Sequence, residues 1–187
     1  MSAQDSKLFV ISGPSGAGKG TLVTRVRERR SNLGLTVSAT TRAPRKGEVD
    51  GVNYFFLTRE EFDRRVANGE FVEWAEVHGN CYGTLVSEVT SKLASGSSLI
   101  LEIDVQGALQ VKERFPEAVL IFIKPPSLEV LRERLVGRGT ETPETIELRM
   151  ANAADELALA DRYDDVVVND DLDRATDELV RVLDMHE

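Results

Sequence analysis

Cysteine is nearly absent: Cys81 is the one example in a chain of 187 residues. A lone thiol cannot close a disulfide within the chain, nor build a cysteine zinc cluster. Long hydrophobic runs are missing too. The apolar stretches are short, such as Ala118 to Ile123, well under the ~20 residues that a bilayer-spanning helix needs. The polar opening, Met1 to Lys7, does not read as a secretory signal. These features lead to the expectation of a cytoplasmic protein with no membrane partner. Net positive charge is also lacking. The formal charge is −9 and the isoelectric point about 4.9, so no affinity for a nucleic-acid backbone is expected. Residues 161–187 hold ten acids against three arginines, seven of the nine net negative charges. That acidity reads as a solvated surface, and it leaves the rest of the chain free to gather basic residues locally.

What is present is ordinary globular material, 41% hydrophobic and 29% charged. No repeat or low-complexity segment occurs. Short apolar runs alternate with polar helical patterns. Lys7 to Ser12 leads into a glycine-rich stretch, and Lys19 to Arg30 reads as a helix. Leu99 to Ile103, Val119 to Ile123 and Val166 to Val168 are further β-branched runs, each followed by a helical pattern. That is how parallel strands covered on both faces by crossover helices look in sequence.

Two stretches interrupt the rhythm. Residues 35–85 are rich in aromatics and turn residues, and Thr58 with Glu61 reads as a capping box opening a helix towards Asn68. The run Gly137-Arg138-Gly139-Thr140-Glu141-Thr142-Pro143 reads as a mobile loop, with Thr142 capping a helix that starts at Pro143 and runs to about Ala160. An open sheet with two such interruptions suits an enzyme that closes over its substrate.

The strongest local signal is Gly13-Pro14-Ser15-Gly16-Ala17-Gly18-Lys19-Gly20-Thr21, set between a strand and a helix. Glycines allow the backbone to curl so that successive N–H groups face phosphate oxygens, and the helix N-terminus adds partial positive charge. Lys19 is placed to reach the transferable phosphates of a nucleoside triphosphate. The usual loop has Ser or Thr after this lysine, and here Gly20 offers no hydroxyl; Thr21 is the next one, about 100° further round the helix.

Read together, Ser12 to Thr21, Ser38 to Tyr54, Phe71 to Thr84, Leu101 to Gly107, Arg134 to Arg149 and Val166 to Asp171 resemble the guanylate kinases, members of the nucleoside monophosphate kinases. The runs Thr40-Thr41-Arg42-Ala43-Pro44-Arg45 and Gly137-Arg138-Gly139-Thr140-Glu141 carry most of the resemblance. It implies an α/β fold of three layers, the P-loop kinase fold, around a five-stranded parallel sheet. It also implies one domain over residues 1–187: a core (1–34, 86–133 and 150–187), a GMP-binding insert (about 35–85) and a lid (about 134–149). The implied reaction moves the γ-phosphoryl of ATP to GMP with Mg²⁺, giving ADP and GDP.

The residue chemistry suits that reaction. Arg42 and Arg45 flank Pro44, and two guanidinium forks could grip one phosphate. By resemblance, Tyr54 and Tyr82 add hydroxyls to it. Guanine presents two adjacent donors, N1–H and the N2 amino group, and one carboxylate accepts both. The resemblance gives Glu73 this role and places Ser38 and Thr84 at the base. Glu102 and Asp104 end an apolar strand, where ligands of open parallel sheets bind. By resemblance Asp104 lies near GMP and the metal, and Glu102 stands where the family often has Asp. Arg134, Arg138 and Arg149 surround the loop at 137–143 and would steady charge on the moving phosphoryl group. By resemblance Asn169 lies near the adenine. Mg²⁺ is expected on phosphates and waters rather than on direct side-chain ligands, with Thr21 or Asp104 nearest. His78 and Cys81 lack companions for a metal site, and Trp74 reads as core packing. Two alternatives stay open from the sequence: another monophosphate kinase such as adenylate kinase, which shares Gly-Lys-Gly-Thr, and a non-catalytic guanylate-kinase-like interaction module. The oligomeric expectation is a monomer or homodimer.

Overall fold

The computed structural model describes residues 6–77, 79–137, 139 and 142–187. Its centre is a parallel sheet of five strands: β1 (Leu8–Ser12), β2 (Gly34–Leu35), β7 (Leu99–Glu102), β8 (Val119–Lys124) and β9 (Asp165–Val168), in the order β2-β7-β1-β8-β9. β1 lies in the middle and is buried along its whole length. Its side chains alternate between two cores. Phe9 and Ile11 pack with Leu22, Val23 and Val26 of α1 (Lys19–Arg29) and with Ala175, Leu179 and Leu183 of α7 (Leu172–His186). Leu8 and Val10 pack on the opposite face with Val89 of α3 (Val86–Ala94) and Val105, Ala108 and Val111 of α4 (Val105–Arg114). The three layers expected from the continuous apolar strands follow, because the inner strands β1, β7 and β8 have apolar neighbours on both faces.

Between β2 and α3 lies a second sheet, ordered β4-β3-β6-β5, made of β3 (Ala39–Thr40), β4 (Phe55–Phe56), β5 (Phe71–Val77) and β6 (Asn80–Leu85). α2 (Arg59–Ala67) covers it through Phe62, which stacks on Phe71 with ring centroids 4.3 Å apart. Cys81 is buried in this small core with Ala39, Phe62, Phe71 and Leu85. The last two helices before β9 are α5 (Leu128–Gly137) and α6 (Pro143–Leu157), which share the cluster of Leu131, Leu135 and Ala153.

Several local expectations change. The Thr58 hydroxyl does accept from Glu61 N (3.1 Å), but the Glu61 carboxylate turns to Arg64 and Arg65 instead of returning to the cap, so only half a capping box forms. Thr142 accepts from Thr145 N with Pro143 in the first turn, yet α6 stops at Leu157 and a 3₁₀ turn covers Ala160–Arg162. Trp74 is no core residue: it is 41% exposed and meets Phe62 only edge-on. The C-terminal acids are partly engaged. Asp173, Asp177 and the Asp184–Glu187 pair meet Arg25, Arg29 and Arg30 of α1. Such surface pairs contribute little individually, but they orient α7 along α1. No described helix is long and apolar enough to cross a membrane.

Candidate functional site

The carboxyl ends of β1, β7 and β9 converge on the loop between β1 and α1. Gly13, Gly16 and Gly18 all have positive φ (141°, 90° and 92°), which curls the loop. Two of them are also needed for space. A Cβ on Gly13 would lie 2.2 Å from Ile123 O, and one on Gly18 would lie 2.3 Å from Asn169 Nδ2. The loop thus wraps against the sheet at a distance only glycine permits. Lys19, the first residue of α1, folds its ammonium back over the loop and donates to Gly13 O (2.6 Å) and Pro14 O (3.0 Å). Ala17 is fully buried, while Gly20 and Thr21 open to solvent.

Asn169, which follows β9, is buried and donates from Nδ2 to Ala17 O at 2.8 Å, so its side chain is a strut of the loop. Its carbonyl accepts from Arg134 Nη2 (2.8 Å), and Arg134 Nη1 is buried with no partner among the described residues. Gly16, Gly18, Thr21, Arg134 and Asn169 line a cavity of about 250 Å³. From α6, Arg149 reaches Ser15 Oγ at 2.5 Å. The structure therefore brings Arg134 and Arg149 to the loop; Arg138 lies outside the described residues, as does His78.

At the end of β7, Glu102 sits against Gly20: a Cβ there would be 3.5 Å from Glu102 Oε1. Glu102 keeps exposed surface, yet the protein around its carboxyl partly desolvates it and raises its pKa, while the Lys19 charge pulls it down. Asp104 caps α4, accepting from Gly107 N at 2.7 Å. Beyond it, Glu73 of β5 is buried, with Oε1 accepting from Thr84 Oγ1 at 2.7 Å. Oε2 approaches the Asp104 cap, since a Cβ on Gly107 would lie 3.2 Å from it and 3.3 Å from Asp104 Oδ1. Burial pushes the Glu73 carboxyl up to about 6, Thr84 opposes the rise and the Asp104 charge adds to it. Among the described residues, no group of three or more His, Cys, Asp or Glu side chains could hold a metal ion.

The second sheet presents Arg42 just after β3. Its Nη2 donates to both Glu48 oxygens (2.9 and 3.0 Å), its Nη1 donates to Ala43 O, and its guanidinium lies 5.3 Å from the Tyr54 ring centroid. Tyr54 meets Tyr82 edge-on, with centroids 6.2 Å apart. Arg45 is exposed, and its backbone N–H donates to Glu48 Oε2 (2.7 Å). Ser38 precedes β3 and is half-buried; its carbonyl accepts from Phe55 N. Arg42, Tyr54 and Tyr82 are thus brought together, while Arg45 lies on the exposed turn beside Glu48.

Three residues of the site escaped the sequence reading. Glu48, a common acid in a turn, organises both arginines, and its hydrogen bond with Arg42 lowers the pKa of its carboxyl. Glu156 of α6 and Tyr163 are electrostatically coupled to Asp104, and burial raises the pKa of each. The spacing Arg-x-x-Arg-x-x-Glu around Pro44 was the available signal for Glu48. Glu156 and Tyr163 had none, because only the packing of α6 and of the turn after it against the sheet places them there.

A model of the guanylate kinase family matches residues 5–186. The guanylate kinase of Gloeobacter violaceus is 57% identical over 178 residues, which span 95% of this chain and 87% of that protein. That of Halalkalibacterium halodurans is 52% identical over 183 residues, 98% of this chain and 90% of the relative. The crystal structure of guanylate kinase from Anaplasma phagocytophilum superposes with a TM-score of 0.73 at 37% identity, covering 96% of this chain and 85% of the other.

Proposed function

The chain belongs to the guanylate kinase family, and on that premise we propose that it transfers the γ-phosphoryl of ATP to GMP, giving ADP and GDP. One observation carries the choice of acceptor: the buried Glu73–Thr84 pair beside the Asp104 cap. Guanine offers two donors to the Glu73 carboxylate and one acceptor, O6, to which the Thr84 hydroxyl would turn the hydrogen it now gives Glu73. Adenine offers an acceptor where guanine has N1–H and has no N2 amino group. A site whose buried polar atoms are left unpaired by the wrong base can reject it by up to ~10⁴-fold. The intact loop lysine and the arginines around it favour an enzyme over a non-catalytic module, and Glu73 favours guanine over adenine.

The ATP phosphates fit the curled amides of Gly13 to Thr21, with Lys19 exchanging its loop carbonyls for phosphate oxygens. Arg134 and Arg149 would steady charge as the phosphoryl group moves. The unpartnered Arg134 Nη1 supports a ligand in the adjoining cavity, and Asn169 would act there through the loop. Ser38, Arg42, Arg45, Tyr54, Tyr82 and Thr84 complete the GMP assignment. No general base is needed, because the attacking GMP phosphate oxygen is already anionic near neutral pH.

The donor set suits Mg²⁺. Gly20 supplies no hydroxyl, but the Glu102 carboxylate lies against it, and Asp104, two residues further along the chain, caps α4. These hard oxygen donors, with Thr21, would hold the ion's waters while phosphates bind it directly. When bound, the ion neutralises phosphate charge. Residues 35–85 and 134–149 would close on the core and exclude water. A substrate pair of ATP and GMP, with one thiol in the chain, fits a cytoplasmic location. The test is coupled detection of ADP: formation that requires GMP supports the reading, and formation unchanged without GMP, or preferring AMP, overturns it.

A further inference from the structure

β5 does not pair regularly with β6. Phe71 faces Leu85, but Glu73 faces Thr84, so β5 spends two residues where β6 spends one. The extra residue is Val72, and the irregularity is a β-bulge. In a regular strand Val72 and Glu73 would point to opposite faces. Here both face α4: Val72 packs with Val105 and Val111, and Glu73 Oε2 approaches Gly107. Phe71 and Trp74 instead both face Phe62 of α2. Gly83 makes the kink possible, since a Cβ there would lie 2.8 Å from both Glu73 O and Phe71 Cδ1.

A bulge breaks the ladder and leaves backbone groups to be satisfied elsewhere. Arg114, the last residue of α4, supplies donors at this point. Its Nη1 donates to Phe71 O (3.2 Å) and its Nη2 to Gly69 O (2.5 Å). Packing does not close this seam, for a cavity of about 450 Å³ opens between Val66, Phe71 and Trp74 on one side and Gln110 and Glu113 on the other, with Arg114 in its wall. α4 therefore holds β5 at two places: its N-terminus meets Glu73, and its C-terminus clamps the chain two residues before Glu73.

We propose that Arg114 is a positioning residue for purine choice: by clamping Gly69 and Phe71 at the bulge, it aims the Glu73 carboxylate at the base. This rests on the reading of Glu73 given above. Arg114 touches no substrate; it sets the distance between Glu73 and the Asp104 end of α4.

The test compares GMP with IMP, which lacks the N2 amino donor, as acceptors for the full chain and for Arg114→Ala and Arg114→Lys. In Arg114→Ala the KM for GMP should rise and the GMP-over-IMP ratio of kcat/KM should fall, each by ~10-fold, because small misplacements of recognition groups are costly. The KM for ATP should stay within about twofold, and Arg114→Lys, which keeps a donor, should recover part of the ratio. Lys112→Ala is the stability control. Lys112 clamps the same helix to Ala118 O (2.7 Å) on the core side, so its loss should lower the melting temperature without moving the ratio. A ratio in Arg114→Ala equal to that of the unaltered protein overturns the proposal. If Arg114→Ala shows no cooperative melt, Arg114→Gln, too short for both carbonyls, is read in its place by the same ratio. An unaltered protein that does not prefer GMP to IMP instead overturns the Glu73 reading itself, so the two failures are told apart.

Discussion

Thr84 Oγ1 donates to Glu73 Oε1 at 2.7 Å, across an antiparallel strand pair and out of water. This bond holds a carboxylate in surroundings that disfavour its charge. Burial raises the Glu73 pKa to about 6 from 4.5. The fold therefore binds this proton more tightly than the unfolded chain does. The stability contribution is fully present below about pH 4.5 and is lost as pH rises through about 6.

Glu73→Gln should then be more stable than the unaltered protein at pH 7.5, by about 2 kcal/mol for a shift of this size, and should lose that advantage at pH 4.5. Urea denaturation at the two values measures it. The same variant should lose guanine recognition. Guanosine is the cleaner ligand here, since it lacks the phosphate that also titrates near pH 6. Its affinity for the unaltered protein should fall below pH 6, and Glu73→Gln should show weak binding with no such dependence.

Lys19→Ala should cut turnover by ~10²–10³-fold, the usual loss when one donor to developing charge is removed. The fold should persist, because the ammonium bonds the loop's own carbonyls, Gly13 O and Pro14 O, and takes no part in the hydrophobic cores. Single-turnover phosphoryl transfer reads the change; a near-normal rate would remove Lys19 from the chemistry.

Arg42→Ala should raise the KM for GMP by about 10- to 100-fold, corresponding to loss of charge-assisted bonds of ~1.5–3 kcal/mol. ATP binding should be spared, since Arg42 lies on the second sheet with Glu48 and Tyr54. Steady-state kinetics with each substrate varied in turn separates the two.

Gly20→Ser should alter the Mg²⁺ dependence of turnover. A Cβ at this position would lie 3.5 Å from Glu102 Oε1, an ordinary contact, so a hydroxyl fits beside that carboxylate. A Mg²⁺ titration superimposable on that of the unaltered protein would show that the hydroxyl has no part in holding the ion.

The core sheet was readable from the chain because its signal is local. Phe9 and Ile11 face one core and Leu8 and Val10 the other, so β1 is apolar from Leu8 to Ile11, and the loop glycines begin just after Ser12. β2 was not readable. Its two residues, Gly34 and Leu35, become a strand only by pairing with Leu99 and Ile100 of β7.

By itself the sequence determined the alternation of strand and helix, the curled phosphate loop and the set of arginines, since these depend on residue type and spacing along one stretch of chain. Tertiary structure decided the rest: that Glu48 occupies the Arg42 fork, that Asn169 braces the loop from 152 residues away, and that a bulge held from α4 turns Glu73 inward. The physical reason is that burial and electrostatic coupling are properties of neighbours in space. The Glu73 carboxylate acquires its raised pKa from burial and from groups that only folding brings beside it.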